Sequence, residues 1–251
     1  MLNIAQRSVS FSEGLLGLAI GLSLMGMVDL AVAAPADITE AEMNLLPKYC
    51  PYTQTFKNGS PSYAPSPKAR YWVAQMGGTF WAMHHYCWAQ INMIRSRKAG
   101  VPAHERRQMW ESARGDYLYV IENAAPDFIL LPEIYTRIGE VELLLSQPDK
   151  AKNAFSHARQ LKPDYWPAYS HWAEFLMKIG RKPEALKVVA SGLQYSPNAK
   201  VLLEQFRILG GKPSEIPKAV ENQQTVDAPA AKVNRAVENF PTAPDAKNYD
   251  K

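Results

Sequence analysis

The chain has 251 residues, 47% of them hydrophobic and 21% charged, and a net charge of +4. That is enough apolar material for one core of ordinary size, with or without appendages. No run of Lys and Arg forms a stripe suited to a phosphate backbone, so nucleic acid is excluded as an expected partner.

Residues 1–33 read as an export signal. Arg7 precedes an apolar run from Leu15 to Val28, and Ala31-Val32-Ala33-Ala34 follows. A positive start, an apolar middle and an A-x-A end are the three parts of a secretory signal, with cleavage expected after Ala33. The apolar run falls short of the roughly 20 residues of a membrane span. Glu13 weakens the positive start, which leaves an uncleaved inner-membrane anchor as the alternative. The expected location is the periplasm.

Two cysteines, Cys50 and Cys87, lie beyond the signal. In an oxidising compartment an even pair reads as a disulfide, worth about 4 kcal/mol for a loop of this length. Two unpaired buried thiols are the alternative. The bond would pin residues 34–67, a segment rich in proline (Pro35, Pro47, Pro51, Pro61, Pro65 and Pro67), onto a helix. Such proline density predicts an extended, wrapping arm, with one helical turn from an N-cap at Thr39 through Met43.

Sustained helical signals start near Lys68. Trp72, Met76, Phe80, Met83, Cys87, Ile91 and Ile94 recur at three- and four-residue steps, with Gly77-Gly78 as a kink or interruption. Gly100, Val101 and Pro102 end this helix, and a second follows through Met109, Ala113, Tyr117, Val120 and Ala124. Residues 68–131 are therefore expected to form a helical pair.

Shifting the chain against itself by 34 residues superimposes Tyr135 on Tyr169, Gly139 on Ala173, Ala151 on Ala185, Ala158 on Gly192 and Pro163 on Pro197. A fixed period in this range marks stacked units, each too small to bury its apolar face alone. Small residues at these positions let paired helices approach closely. Pro163 and Pro197 stop the second helix of each unit, Gly180 breaks the connection inside the second, and Ser146 with Pro148 does so in the first.

The pattern (Tyr135, Ile138, Gly139, Ala151, Phe155, Ala158, Pro163, then Tyr169, Trp172, Ala173, Leu176, Ala185, Val189, Gly192, Pro197) resembles two tetratricopeptide repeats over 132–165 and 166–199. They span about a quarter of the chain. Glu142 departs from the pattern, which has an aromatic there, and so does Trp172, which replaces a smaller apolar residue. Stable solenoids need about three repeats, so the 68–131 pair is expected to stack in front as a diverged repeat and 200–211 to close the other end as a capping helix. The expected fold is all-α: a short α-solenoid of antiparallel helix pairs, with a disordered tail over 212–251.

The resemblance implies a concave groove lined by the first helix of each repeat. By register the first copy offers Glu133, Thr136, Arg137, Glu140 and Leu144. The second offers Ser170, His171, Glu174, Met177 and Lys178, with Glu140 and Glu174 as equivalent rungs of an acidic ladder. The Lys and Asn set with which some family members clamp a terminal carboxylate is absent from these positions.

His84, His85 and Cys87 share a helix and could suggest a metal or redox site, but no further ligand falls at a recognised spacing. No haem-attachment, serine-elbow, zinc-protease or phosphate-loop motif occurs, so neither an enzymatic reaction, a cofactor nor a metal is expected. The reading is a periplasmic repeat scaffold that binds a protein or peptide segment of an envelope partner. The alternative is an accessory role in envelope polysaccharide export or assembly, with Tyr165 and Trp166 available to stack on sugars. A metal- or redox-active protein comes last.

Overall fold

The computed structural model describes residues 37–216 and 218, apart from 55, 57 and 60. The expected signal over 1–33 and the tail beyond 218 lie outside the described residues. Everything described from Ile38 onwards belongs to one compact unit, which is all-α. Among the described residues no helix is long and apolar enough to cross a membrane.

The arm is folded tightly rather than simply extended. Helix α1, Glu40–Asn44, starts from Thr39, whose hydroxyl accepts from the Glu42 amide while the Glu42 carboxylate accepts from the Thr39 amide. This reciprocal pairing satisfies two amides that a helix start would leave open. A 3-10 turn at Cys50–Tyr52 follows, and its Cys50 is bonded to Cys87 with the Cα atoms 5.7 Å apart. Both cysteines are fully buried. Glu42 ties the arm down a second time, accepting from Arg95 Nε at 2.9 Å, Arg95 Nη2 at 3.0 Å and Lys98 Nζ at 2.8 Å.

Helix α2, Pro67–Met76, is capped by Ser66 and ends where Gly77 turns to φ +64°. The expected interruption at Gly77-Gly78 is a 3-10 segment, Gly77–Ala82, which delivers the chain into α3, Met83–Ser96. Helix α4, Ala103–Glu122, packs back along α3.

The repeated region supplies α5, Leu131–Leu144, and α6, Pro148–Leu161, then α7, Pro167–Lys178, and α8, Lys182–Tyr195. Helix α9, Lys200–Ile208, comes last. Connections this short return each helix alongside its predecessor. Each helix contacts the next in sequence order from α3 to α9, and α5 also touches α7, as α7 touches α9. This is a short solenoid of helix pairs.

Both intra-pair connections use the same left-handed stop, 34 residues apart. Ser146 sits at φ +62°, with the Gln147 amide reaching Glu142 O at 2.8 Å; Gly180 sits at φ +81°, with the Arg181 amide reaching Leu176 O at 2.8 Å. These are the crossed bonds that close a helix C-terminus. Ser146 itself thus breaks the first pair, and Pro148 merely opens α6.

The close approaches are specific. A Cβ placed on Gly139 would lie 2.7 Å from the Phe155 ring of α6, and one on Gly192 would lie 2.7 Å from Leu202 of α9 and 2.9 Å from Tyr169 of α7. Ala151, Ala158, Ala173 and Ala185 are fully buried at the matching positions. The apolar interior comes in two clusters, one joining the arm to α2–α5 and one running through α6–α9, and Tyr135 packs against both.

Two stability outcomes follow from this packing. Gly139→Ala should destabilise by about 1–3 kcal/mol in urea denaturation. Gly115→Ala, at an exposed mid-helix site of α4 with nothing within 4 Å of the new methyl, should instead stabilise by about 0.5–1 kcal/mol. Equal effects would show that helix propensity, not inter-helix distance, dominates.

Glu42 gives a pH signature. Hydrogen bonds from Arg95, opposed by burial and joined by those from Lys98 and Thr39, hold its carboxyl far below the usual range. A carboxyl whose pKa falls on folding stabilises above its unfolded pKa, about 4.3, and loses that contribution as pH drops toward its folded value. Glu42→Gln should therefore cost about 1.5–3 kcal/mol at pH 7. Urea titrations at successively lower pH should show the two proteins converging below about pH 4.

Candidate functional site

Helices α3, α5, α7 and α9 are joined by one continuous line of polar side chains. Tyr86 of α3 donates its hydroxyl to Glu133 Oε1 of α5 at 2.6 Å. Arg137, one turn on, lies 3.6 Å from Glu133 and donates to Glu140 Oε2 at 3.1 Å. Glu140 then faces α7, where His171 Nε2 stands 3.3 Å from its Oε1. The other ring nitrogen of His171 is 3.6 Å from Glu174. Gln205 of α9 ends the line, donating to Ser170 Oγ at 2.8 Å and to Glu174 Oε1 at 3.2 Å.

The residues arrive there because the helices repeat in register. Arg137, His171 and Gln205 are each 34 apart (171 − 137 = 34; 205 − 171 = 34), so each occupies the same position on the first helix of its unit. Glu140 and Glu174 form the neighbouring row. The expected acidic ladder is thus interleaved: His171 bridges the two carboxylates, and Arg137 neutralises part of the first. A neutral imidazole can donate to only one of those carboxylates, whereas its protonated form can donate to both.

Charge and burial oppose each other along this line. Burial disfavours the Arg137 charge, but the carboxylates of Glu140 and Glu133 outweigh it and raise the pKa. Burial, with Tyr49 and Glu133 nearby, pushes the Tyr86 phenol well above its ordinary value. Tyr165, at the end of the first unit, feels Glu133 and Glu140 as well; burial first and then Glu133 move it up to about 12. Counting Glu133, Glu140 and Glu174 against Arg137 alone, the line carries an excess of negative charge when His171 is neutral.

Two atoms in it have no hydrogen-bond partner among the described residues: Arg137 Nε and Gln205 Oε1, the latter on a side chain only 5% exposed. Both atoms are buried, and buried polar atoms are nearly always satisfied, so two unpaired ones on the same line mark it as unusual.

Of the other residues expected in the groove, Thr136 is buried and donates to Pro132 O within its own helix. Ser170, also buried, lies beneath Gln205. Leu144, Met177 and Lys178 lie at the C-terminal ends of α5 and α7; Leu144 and Lys178 are exposed and Met177 is half-buried. Sequence reasoning missed Tyr86, Tyr165 as a neighbour of the carboxylates, and Gln205. Gln205 was recoverable, because the 34-residue step that relates Arg137 to His171 reaches it directly. Tyr86 lies outside that register and left no such trace.

Glu142, the departure from the repeat pattern, is buried, with Oε1 3.8 Å from Arg114 Nη1 of α4 and Oε2 unpartnered among the described residues. It makes a charge contact between α5 and α4.

The histidine cluster takes a different form from a metal centre. Cys87 is committed to the disulfide and buried, so it offers neither a thiolate ligand nor a nucleophile. His84 Nδ1 meets Trp81 O and His85 Nδ1 meets Asp116 Oδ1, both at 2.7 Å. Burial lowers the pKa of His84. Among the described residues no three His, Cys, Asp or Glu side chains are placed to hold a metal ion.

No family model matches the chain, and no curated protein matches it.

Arg137 is the one full positive charge in the line, so its removal leaves Glu133 and Glu140 facing each other. Arg137→Met should destabilise by about 1–3 kcal/mol in urea at pH 7. A neutral outcome would show that the two carboxylates are adequately solvated without it.

Proposed function

We propose that this chain is an exported, tetratricopeptide-like scaffold whose first-helix face holds a basic segment of an envelope partner. The observation that carries the reading is the polar line from Tyr86 to Gln205. It runs across α3, α5, α7 and α9 and has an excess of carboxylates. A segment rich in Lys or Arg complements that charge, and electrostatic matching of this kind governs encounter rate and specificity more than raw affinity.

Two observations support export. The buried Cys50–Cys87 bond is of a kind that persists in oxidising compartments, and the N-terminal residues have the composition of a secretory signal. The tetratricopeptide assignment draws on the 34-residue step together with the left-handed stops at Ser146 and Gly180. No reaction, cofactor or metal is part of this reading. An accessory role in handling envelope polysaccharide is the second reading, favoured by Trp166, which is 37% exposed at the start of α7.

The test uses a photo-crosslinking residue at exposed Lys178 in cells, followed by isolation of the adduct. A discrete partner is expected, crosslinked through a basic segment. A synthetic peptide of that segment should bind the purified protein, and Glu140→Lys and Glu174→Lys should each weaken it by about 1 kcal/mol, roughly fivefold. No adduct, or a peptide indifferent to both reversals, rejects the groove reading.

A further inference from the structure

The arm builds a recess that shares no lining residue with the polar line. It is an open cleft of about 510 Å³ between the α1-to-3-10 segment and α2. That lies within the range of about 300–1,000 Å³ typical of small-ligand clefts. One wall carries Asn44, Lys48 and Tyr52 from the arm; the other carries Lys68, Tyr71 and Trp72 from α2.

Three features separate this cleft from an incidental surface dent. Both walls are fixed. The arm is held by the Cys50–Cys87 bond, by the reciprocal cap at Thr39 and Glu42, and by the bonds from Arg95 and Lys98. On α2, Trp72 is wedged edge-on between Tyr49, at 5.7 Å, and Tyr71, at 5.0 Å. Fixed walls reduce the ordering cost of binding.

The aromatic surface is available. Tyr71 is 55% exposed, and Tyr52 and Trp72 are half-buried, so ring surface remains open while the bodies stay anchored. The charge is also one-signed. Among the described residues the lining contains two ammonium groups and no carboxylate, and Glu42, the nearest buried acid in sequence, is paired with Arg95 and Lys98.

Aromatic rings, the amides of Asn44 and Asn58 and two cations suit a ligand that presents flat C–H faces, hydroxyls and carboxylates together. Ring faces accept C–H-rich rings, the Asn44 amide both donates and accepts, and Lys48 and Lys68 act as point charges for carboxylates. We infer that the cleft between the disulfide-held arm and α2 is a binding site for an acidic oligosaccharide, a chain of uronic-acid-type sugars. An acidic peptide would satisfy the lysines but leave the exposed ring surface of Tyr71 without a matching face. This site is independent of the groove proposed above and stands or falls separately from it.

Isothermal titration of the purified, oxidised protein with tetragalacturonate tests the assignment, with maltotetraose and tetraglutamate as the neutral-sugar and acidic-peptide controls. Tetragalacturonate should bind, the neutral sugar should bind at least about tenfold more weakly, and tetraglutamate should be no better than the neutral sugar. Tyr71→Ala should weaken binding by about tenfold, as loss of one stacking ring does. The Lys48→Glu, Lys68→Glu double variant should abolish it. All three residues are exposed, and an unchanged circular dichroism spectrum confirms that the fold survives. Glu140→Lys, in the other groove, should leave the titration unchanged. Overturning results are absence of binding up to about 10 mM, tetraglutamate binding as tightly as the sugar, or titrations that ignore both sets of substitutions.

Discussion

A methyl group on Gly139 would stand 2.7 Å from the Phe155 ring, and that separation dictates how near α5 and α6 can lie. The same demand recurs at Gly192 against Tyr169 and Leu202, and more gently at the buried alanines between the other helices. Tight nesting is what brings successive first helices into contact, since α5 meets α7 and α7 meets α9 only when their partners sit close behind them. The polar line is therefore a product of small side chains elsewhere. Widen one pair, and Glu140 of α5 and His171 of α7 no longer fall within ion-pairing distance.

The second constraint acts at the other end of the molecule. A segment with six prolines cannot supply a helix long enough to pack itself, so the arm depends on point attachments. One is covalent at Cys50, and another is ionic at Glu42, where a buried carboxylate receives three charged donors. These attachments do more than stop fraying: they present Asn44, Lys48 and Tyr52 at a fixed distance from α2. Rigidity bought by local chemistry thus takes the place of regular structure.

Much of this was legible in the residues. The helical stripe from Trp72 to Ile94, the break at Gly77-Gly78, the cap at Thr39 and the pairing of the repeated helices all follow from periodicity and punctuation, which act locally. The cysteine pairing was inferable from compartment and count, though not from geometry. What escaped were contacts between elements whose spacing obeys no period. Tyr86 meets Glu133 across 47 residues, and Glu42 meets Arg95 across 53; neither distance repeats, so no self-comparison could expose it. Thr136 and Ser170 were placed in the groove by register, yet their short side chains turn inward to their own helix and to Gln205. Position along a helix is written in the sequence, whereas depth depends on what the next helix carries.

The register of Arg137, His171 and Gln205 has one more implication. Along a single row the chain presents a permanent cation, then a group able to gain or lose a proton, then an amide that never ionises. The two ends of that row are chemically unlike, one charged and one neutral. The stack thereby acquires a front and a back from three side chains.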